Sequence, residues 1–432
     1  MKRAAGMVGG IFLKKVALFA FALLLLFANS GVSFANNDPS LGKAKHLNQE
    51  NVLQIVQTNL DSYLKTDLQT HDKKISASKD FVPLYDLDHN LFAYMVPLLE
   101  NNREIGYITV GAIEDGYATY EINIRDQAVS GIKAKLKEKS AHSNGKGEVV
   151  YIPPFDYLIK VSDQGQDRYY DLADEPREVT DIVKPKKEKL KEGYNRIRND
   201  ENKKHMSELL GSTITTAAVT SENVALSVER DYGMFVPVEY ATNTYSYGGD
   251  QGWYSTGTKQ DRGCGPVAAA NITNYLAKIK DSAKYGKLYV GNTTSKTDFV
   301  AHMDTLYSYV DPGMFGEVSG PDFTSDVERF AKDRGVTLTG VRSSASFTLD
   351  NVANYIKAGL SINSPVATLN TKKWSDYEYE WHWMTITKYF RDSNDNRWIA
   401  VSTWGQRRSI DYRVHFDAMA NGWVQGGVMY FQ

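Results

Sequence analysis

Apolar positions follow two different periods along this chain, and the points where the period changes divide it into segments. Leu53, Val56, Leu60, Tyr63 and Leu64 repeat at helical spacing, and Asn48 is placed to cap the helix they predict. From residue 81 the spacing is that of strands, over 81–85, 91–98, 105–112 and 117–124. The runs Asp86-Leu87-Asp88-His89-Asn90, Glu100-Asn101-Asn102-Arg103 and Glu114-Asp115-Gly116 separate them as turns. Further strands are predicted over 149–152, 157–161 and 168–172, so this part reads as one helix packed on an antiparallel meander. Its histidines, His46, His71, His89 and His142, stand at no metal-ligand spacing, and His89, in a turn, reads as solvated.

The pattern then breaks. Residues 184–204 hold nine Lys or Arg against four Asp or Glu with few large apolar side chains, and 213–221 is small and polar. This reads as a solvated connector or a lone exposed helix that a protease can reach. Beyond it, Ala268, Ile272, Tyr275, Leu276 and Ile279 form one helical stripe opened by Gly263-Cys264-Gly265-Pro266. Before that stripe, 242–258 is rich in Tyr, Gly and Ser, a loop suited to wall a cleft beside Cys264. Helices are predicted over 299–310, 322–334 and 349–358, and strands over 336–341 and 364–369; His302 reads as a packing or surface residue. Two final strands, 381–390 and 397–405, flank the polar turn 391–396. Pairing Phe390 with Arg397 brings His382 opposite Gly405. The whole predicts an α+β fold in two domains, 36–183 and 223–432, joined by the 184–222 linker.

The first residues set the compartment. Lys2, Arg3, Lys14 and Lys15 precede the apolar run 16–27 and the small-residue pattern Ser33-Phe34-Ala35, which predicts a signal peptide over 1–35. That run is shorter than the roughly 20 residues a membrane span needs. The expected product is a secreted protein, extracellular or at the cell wall, with no stable membrane insertion after cleavage. With 50 basic and 52 acidic residues, the charge offers no footprint for nucleic acid. A single cysteine permits no internal disulfide, and there is no His-Glu-x-x-His pattern, paired cysteine or glycine-rich phosphate loop, so neither a metal nor an organic cofactor is expected.

Cys264 carries the chemistry. At a helix start, unpaired N–H groups and the positive end of the helix dipole favour a thiolate, whereas the alternative is a buried structural thiol. A histidine at the head of a strand is the matching base, and the polar groups across the hairpin that can orient it are Ser402, Thr403, Trp404 and Gln406. Gln260, four residues before the cysteine, can join the Cys264 N–H in binding an oxyanion.

The order Cys264, His382, Ser402-Thr403-Trp404-Gly405 resembles the Cys, His, Asn-Ser-Trp-Gly order of papain-like cysteine peptidases over about residues 236–432. Cys-Gly-Pro followed by small residues is similar to the branch holding bacteriocin-leader-processing peptidases and their secreted relatives. The resemblance implies a papain-like domain in which Cys264 is the nucleophile, His382 the base, and the position of the orienting Asn is taken by Ser402. Thr258 stands where that family commonly has its oxyanion glutamine. Val82-Pro83-Leu84-Tyr85-Asp86 and Ile105-Gly106-Tyr107-Ile108 resemble propeptides of exported peptidases, which implies an intramolecular chaperone or inhibitor removed by cutting the linker. The expected function is hydrolysis of peptide bonds in a peptide or protein substrate. The alternatives are a peptidoglycan amidase or endopeptidase, and a non-catalytic surface or binding protein on the same fold.

Overall fold

A computed structural model describes residues 44–141, 146–173, 175–211, 220–232, 234–313, 318–371, 381–419, 422–425 and 427–432. The expected signal peptide lies outside these residues. The fold mixes helices with antiparallel strands, as the α+β reading expects.

The first half follows the predicted pattern closely. Helix α1 (Gln49–Asn59) starts where the Asn48 side chain accepts from the Asn51 N–H, and a π turn, Leu60–Leu64, prolongs it. Eight strands follow: β1 (Ile75–Ala77), β2 (Val82–Tyr85), β3 (Leu91–Glu100), β4 (Arg103–Gly111), β5 (Thr119–Asn123), β6 (Gly147–Ile152), β7 (Asp156–Asp163) and β8 (Gln166–Tyr170). The pairing departs from a meander in one place, where β6 runs parallel to β2. A second helix, α2 (Ala128–Ala141), supplies that crossover. It has only Val129 and Ile132 on its buried side, too few to mark it in the sequence. His89 is not simply solvated: its ring bonds the buried Glu148 and stacks on Tyr85.

The charged stretch expected to be a free linker is two docked helices, α3 (Thr180–Arg196) and α4 (Asp200–Gly211). Val183, Leu190, Tyr194 and Ile197 recur at helical spacing, but the first gap spans two turns and the lysines around them hide the stripe. Lys187 and Lys191 both reach Asp88 at 2.8 Å, the Tyr194 hydroxyl donates to the Tyr151 carbonyl at 2.7 Å, and Arg198 pairs with Asp115. Of the remainder of that stretch, residues 212–219 lie outside the described residues, and 220–222 open a strand of the second half.

In the second half, β9 (Thr220–Ala225) and the short hairpin of β10 (Glu239–Ala241) and β11 (Thr244–Tyr245) precede helix α5 (Cys264–Tyr275). Helices α6 (Lys296–Tyr307), α7 (Gly320–Asp333) and α8 (Leu349–Ser361) begin at the caps Ser295, Ser319 and Thr348. The strands are β12 (Val366–Asn370), β13 (His382–Asp392), β14 (Arg397–Thr403), β15 (Gln406–Asp411) and β16 (Gly427–Met429). The predicted strand at 336–341 is extended but joins the C-terminal tail only through an isolated Gly340–Phe431 bridge.

One sheet runs through both halves, in the order β16-β12-β13-β14-β15-β5-β4-β3-β2-β6-β7-β8, with β1 beside β3 and β9 beside β13. The seam is β15 against β5, where Ser409 faces Ile122 and Ile410 faces Glu121. Side chains close it. Asp67, just after α1, meets Arg407 Nη2 at 2.7 Å and Lys388 Nζ at 2.9 Å, and Glu229 takes the other side of the Arg407 guanidinium. Arg408, pointing the other way, holds the fully buried Glu121 at 2.6 Å. Tyr63 stacks on Trp398, whose indole N–H donates to Asn59.

Burial by itself would raise the pKa of Asp67, but the Arg407 and Lys388 charges beside it overcome that and hold its carboxyl well below the usual carboxylate range. The stability this contributes is present above the ordinary Asp value of about 4 and is lost as the pH falls below it. Asp67→Ala strands Arg407 and Lys388 in the interior and is expected to cost about 3–5 kcal/mol. Urea unfolding at pH 7 and pH 3 checks this: the difference between Asp67→Ala and the parent should be large at pH 7 and shrink at pH 3. Equal losses at both pH values would refute the ionic account.

Candidate active site

Helix α5 exists to bring one residue to the sheet. Every residue from Gly265 to Tyr275 is buried, and the small side chains Gly265, Ala268, Ala269 and Ala270 let the helix lie close on the strands. It follows directly on a short helix, Gly257–Arg262, from which Gly263 separates it. A Cβ at Gly263 would stand 2.4 Å from the Tyr254 ring and 2.5 Å from the Lys259 carbonyl, so only glycine lets the chain turn there. Cys264, the first residue of α5, is partly buried.

His382 opens β13, as expected. Its neighbour Trp383 is fixed by stacking on Phe323 at 4.2 Å and by donating to the Val318 carbonyl at 3.0 Å, which sets the height of the strand head. Cys264 and His382 line the same narrow cavity, about 10 Å³ of free space and so room for about one water. Gln251, Asn271, Ser402, Thr403 and Trp404 line it too. Gly249 and Gln251 come from the loop expected to wall the cleft. The thiol points at the Trp381 carbonyl, Sγ to O 3.6 Å.

The structure divides the residues expected to orient the histidine. The hydroxyl that meets the imidazole belongs to Thr403, 2.7 Å from His382 Nε2. The Ser402 hydroxyl donates to the Tyr247 carbonyl at 2.6 Å and accepts from Asn271 at 3.3 Å, so it does not serve His382. Adjacent strand residues face opposite ways, and only one of the two can reach the ring. Trp404 contributes its face instead, stacked on His382 with centroids 4.4 Å apart. Trp404 (φ +47°) and Gly405 (φ +68°) form the two-residue turn between β14 and β15. Both angles are those of a type I′ turn, and tryptophan there is held against its own preference. Gln406 lies past the turn, exposed and outside the cavity.

Gln260 is not free to bind an oxyanion. Its amide nitrogen donates to the carbonyls of Tyr254 at 2.7 Å and Gly252 at 3.3 Å. The glutamine that lines the cavity is Gln251, thirteen positions before the cysteine, with its amide on the Gln260 carbonyl. Loop geometry, which carries no sequence signal, exchanges the two. His302 packs as expected, against Thr273 of α5 at 2.8 Å.

Electrostatically the site is neutral at rest. Burial pushes the Cys264 thiol above its ordinary value, and the N–H groups of Trp383, Gly265 and Cys264 around the sulfur pull it down without reversing the shift. The expected low-pKa thiolate is therefore opposed by desolvation. Burial also pulls His382 down to about 3, so its imidazole is uncharged at neutral pH. Such a pair can exchange one proton as a nucleophile attacks, without a standing ion pair. Among the described residues, no group of His, Cys, Asp and Glu is arranged to hold a metal ion. No protein-family model matches the sequence, and no curated protein is significantly similar to it.

Iodoacetamide labelling of the full chain, followed against pH, reads this directly. The rate should keep rising through and above the ordinary thiol range near 8.5. A plateau already reached below pH 7 would show a standing thiolate and refute the neutral pair.

Proposed function

We propose that the chain is a secreted, papain-like thiol hydrolase that cleaves peptide bonds. The observation that carries this reading is that Cys264 and His382 line one cavity while Thr403 bonds the imidazole at 2.7 Å. Cys264 Sγ attacks the substrate carbonyl carbon as His382 takes the thiol proton, and the carbonyl π electrons move to oxygen. The N–H groups of Cys264 and Gly265 at the start of α5 are the donors nearest to hand for that oxyanion, with Gln260 engaged elsewhere. Collapse breaks the C–N bond as His382 returns the proton to the leaving amine, giving a thioester. His382 then draws a proton from water, whose oxygen attacks the thioester carbonyl; as the C–S bond breaks and the acid is released, His382 returns that proton to the Cys264 sulfur.

The N-terminal charge, apolar and small-residue pattern supports export. The N-terminal half is a scaffold for the second half's sheet, a role nearer to intramolecular chaperone than to free inhibitor. A non-catalytic binding protein is the second reading, favoured by one feature: the space between thiol and imidazole is closed to anything larger than water.

An internally quenched peptide substrate separates the two. Cys264→Ala should abolish turnover, and His382→Ala should lower it roughly 100- to 10,000-fold. Thr403→Val removes one neutral hydrogen bond and should cost at most about tenfold, with Ser402→Ala costing less in turnover than Thr403→Val. Undiminished turnover in Cys264→Ala would end the hydrolase reading.

A further inference from the structure

We infer that the substrate groove is walled by both halves of the chain and selects peptides that carry a large apolar side chain next to a carboxylate, with Arg125 as the specificity-determining residue. This rests on the hydrolase reading above. A groove of about 600 Å³ opens along the β14–β15 turn, and Trp404 lines both this groove and the cavity of Cys264 and His382. Its two sides come from distant parts of the sequence: residues 123–125, at the end of β5, and the hairpin of β10 and β11.

The lining is unusual in two respects. Six large apolar side chains stand exposed among the described residues, and three of them, Met234, Tyr240 and Tyr245, line this one groove. Exposed apolar surface gathered beside a reactive site marks a place where something binds. The second respect is charge. Arg407 at the groove floor is compensated by Asp67 and Glu229. Arg125 is exposed and makes no ion pair with any described residue, so its charge is open to a ligand. It lines a second groove as well, of about 580 Å³, on the other side of the Gln406 strand end. Asp250 also lines the first groove, next to Gly405, and its carboxylate accepts from the Gly252 N–H at 2.8 Å. A carboxylate on the peptide is repelled there and attracted at Arg125, which orients the chain. Aromatic faces with an arginine beside them suit an aromatic or aliphatic residue followed by an acid.

The groove exists only while the N-terminal half is present, because residues 123–125 form one wall. The experiment uses the full chain and two quenched peptides that differ only in Glu against Gln beside a tyrosine, each also made with an amidated C-terminus. The Glu peptide should be preferred roughly three- to fivefold in kcat/KM, the size of an exposed ion pair, and salt should reduce the preference. Arg125→Ala should bring the ratio to one and Arg125→Glu should invert it. A preference that follows the free C-terminus rather than Glu would make the carboxylate the chain end. A ratio unchanged in Arg125→Ala overturns the proposal. If the parent cleaves neither peptide, the hydrolase reading fails separately, and tryptophan fluorescence then reports binding of both peptides to Cys264→Ala. A Glu preference lost in Arg125→Ala upholds the groove without hydrolysis, and equal binding of both peptides overturns it.

Discussion

The interaction on which the rest depends is the buried contact of Arg407 with Asp67 and Glu229, joined by Lys388. Four charges removed from water are costly, and they are tolerable only because each has a partner at hydrogen-bonding distance. Asp67 belongs to the first half of the chain; Arg407, Glu229 and Lys388 belong to the second. Arg407 sits in β15, the strand that pairs with β5, and lies three residues from Trp404, whose ring covers His382. The charge that seals the two halves and the ring that covers His382 thus belong to one hairpin, β14–β15.

The cavity of Cys264 and His382 is marked by exclusion of water more than by charge. Cys264 and His382 are both desolvated, and both shifts favour the uncharged form. An ion pair between them would have no further charge beside it, since the other residues lining the cavity, Gln251, Asn271, Ser402 and Thr403 among them, are all uncharged. The imidazole meets a hydroxyl at Nε2 and an indole face, one contact directional and the other not. The hydroxyl of Thr403 can donate to Nε2 or accept from it, so this contact orients the ring in either tautomer.

How much of this was legible follows from where the information lies. Helix and strand periods in the first half, the helix-start position of Cys264 and the strand-head position of His382 are local patterns, and the structure reproduces them. The choice between Ser402 and Thr403 was not local. Near the turn Phe390 faces Trp398 rather than Arg397, but the irregularity between Ile386 and Lys388 takes up that one-residue offset, so that Thr385 faces Ser402, the register that pairing Phe390 with Arg397 predicts. In that register Thr403 shares the face of His382 and Ser402 points the other way, so strand alternation favoured Thr403, and it was the resemblance at Ser402 that named the other hydroxyl. Gln260 was the nearer glutamine in sequence, whereas Gln251 is the one beside the cavity, because the loop folds back over the short helix. The helices at 180–211 were hidden for a compositional reason: lysines that pair with Asp88 look, in sequence, like lysines that face water.

The seam has a consequence for how the chain must fold. Asp67 and Arg407 are 340 positions apart, and Glu121 and Arg408 are 287 apart. As the chain emerges from the ribosome, the N-terminal half is complete in sequence while Asp67 and Glu121 still await their arginines. Contacts so distant in sequence are slow to form, since the entropy of closing the loop is lost before any ionic contact is gained. The first half, in which β5 already pairs with β4 on one edge, must therefore hold the other edge of β5 open until β15 arrives.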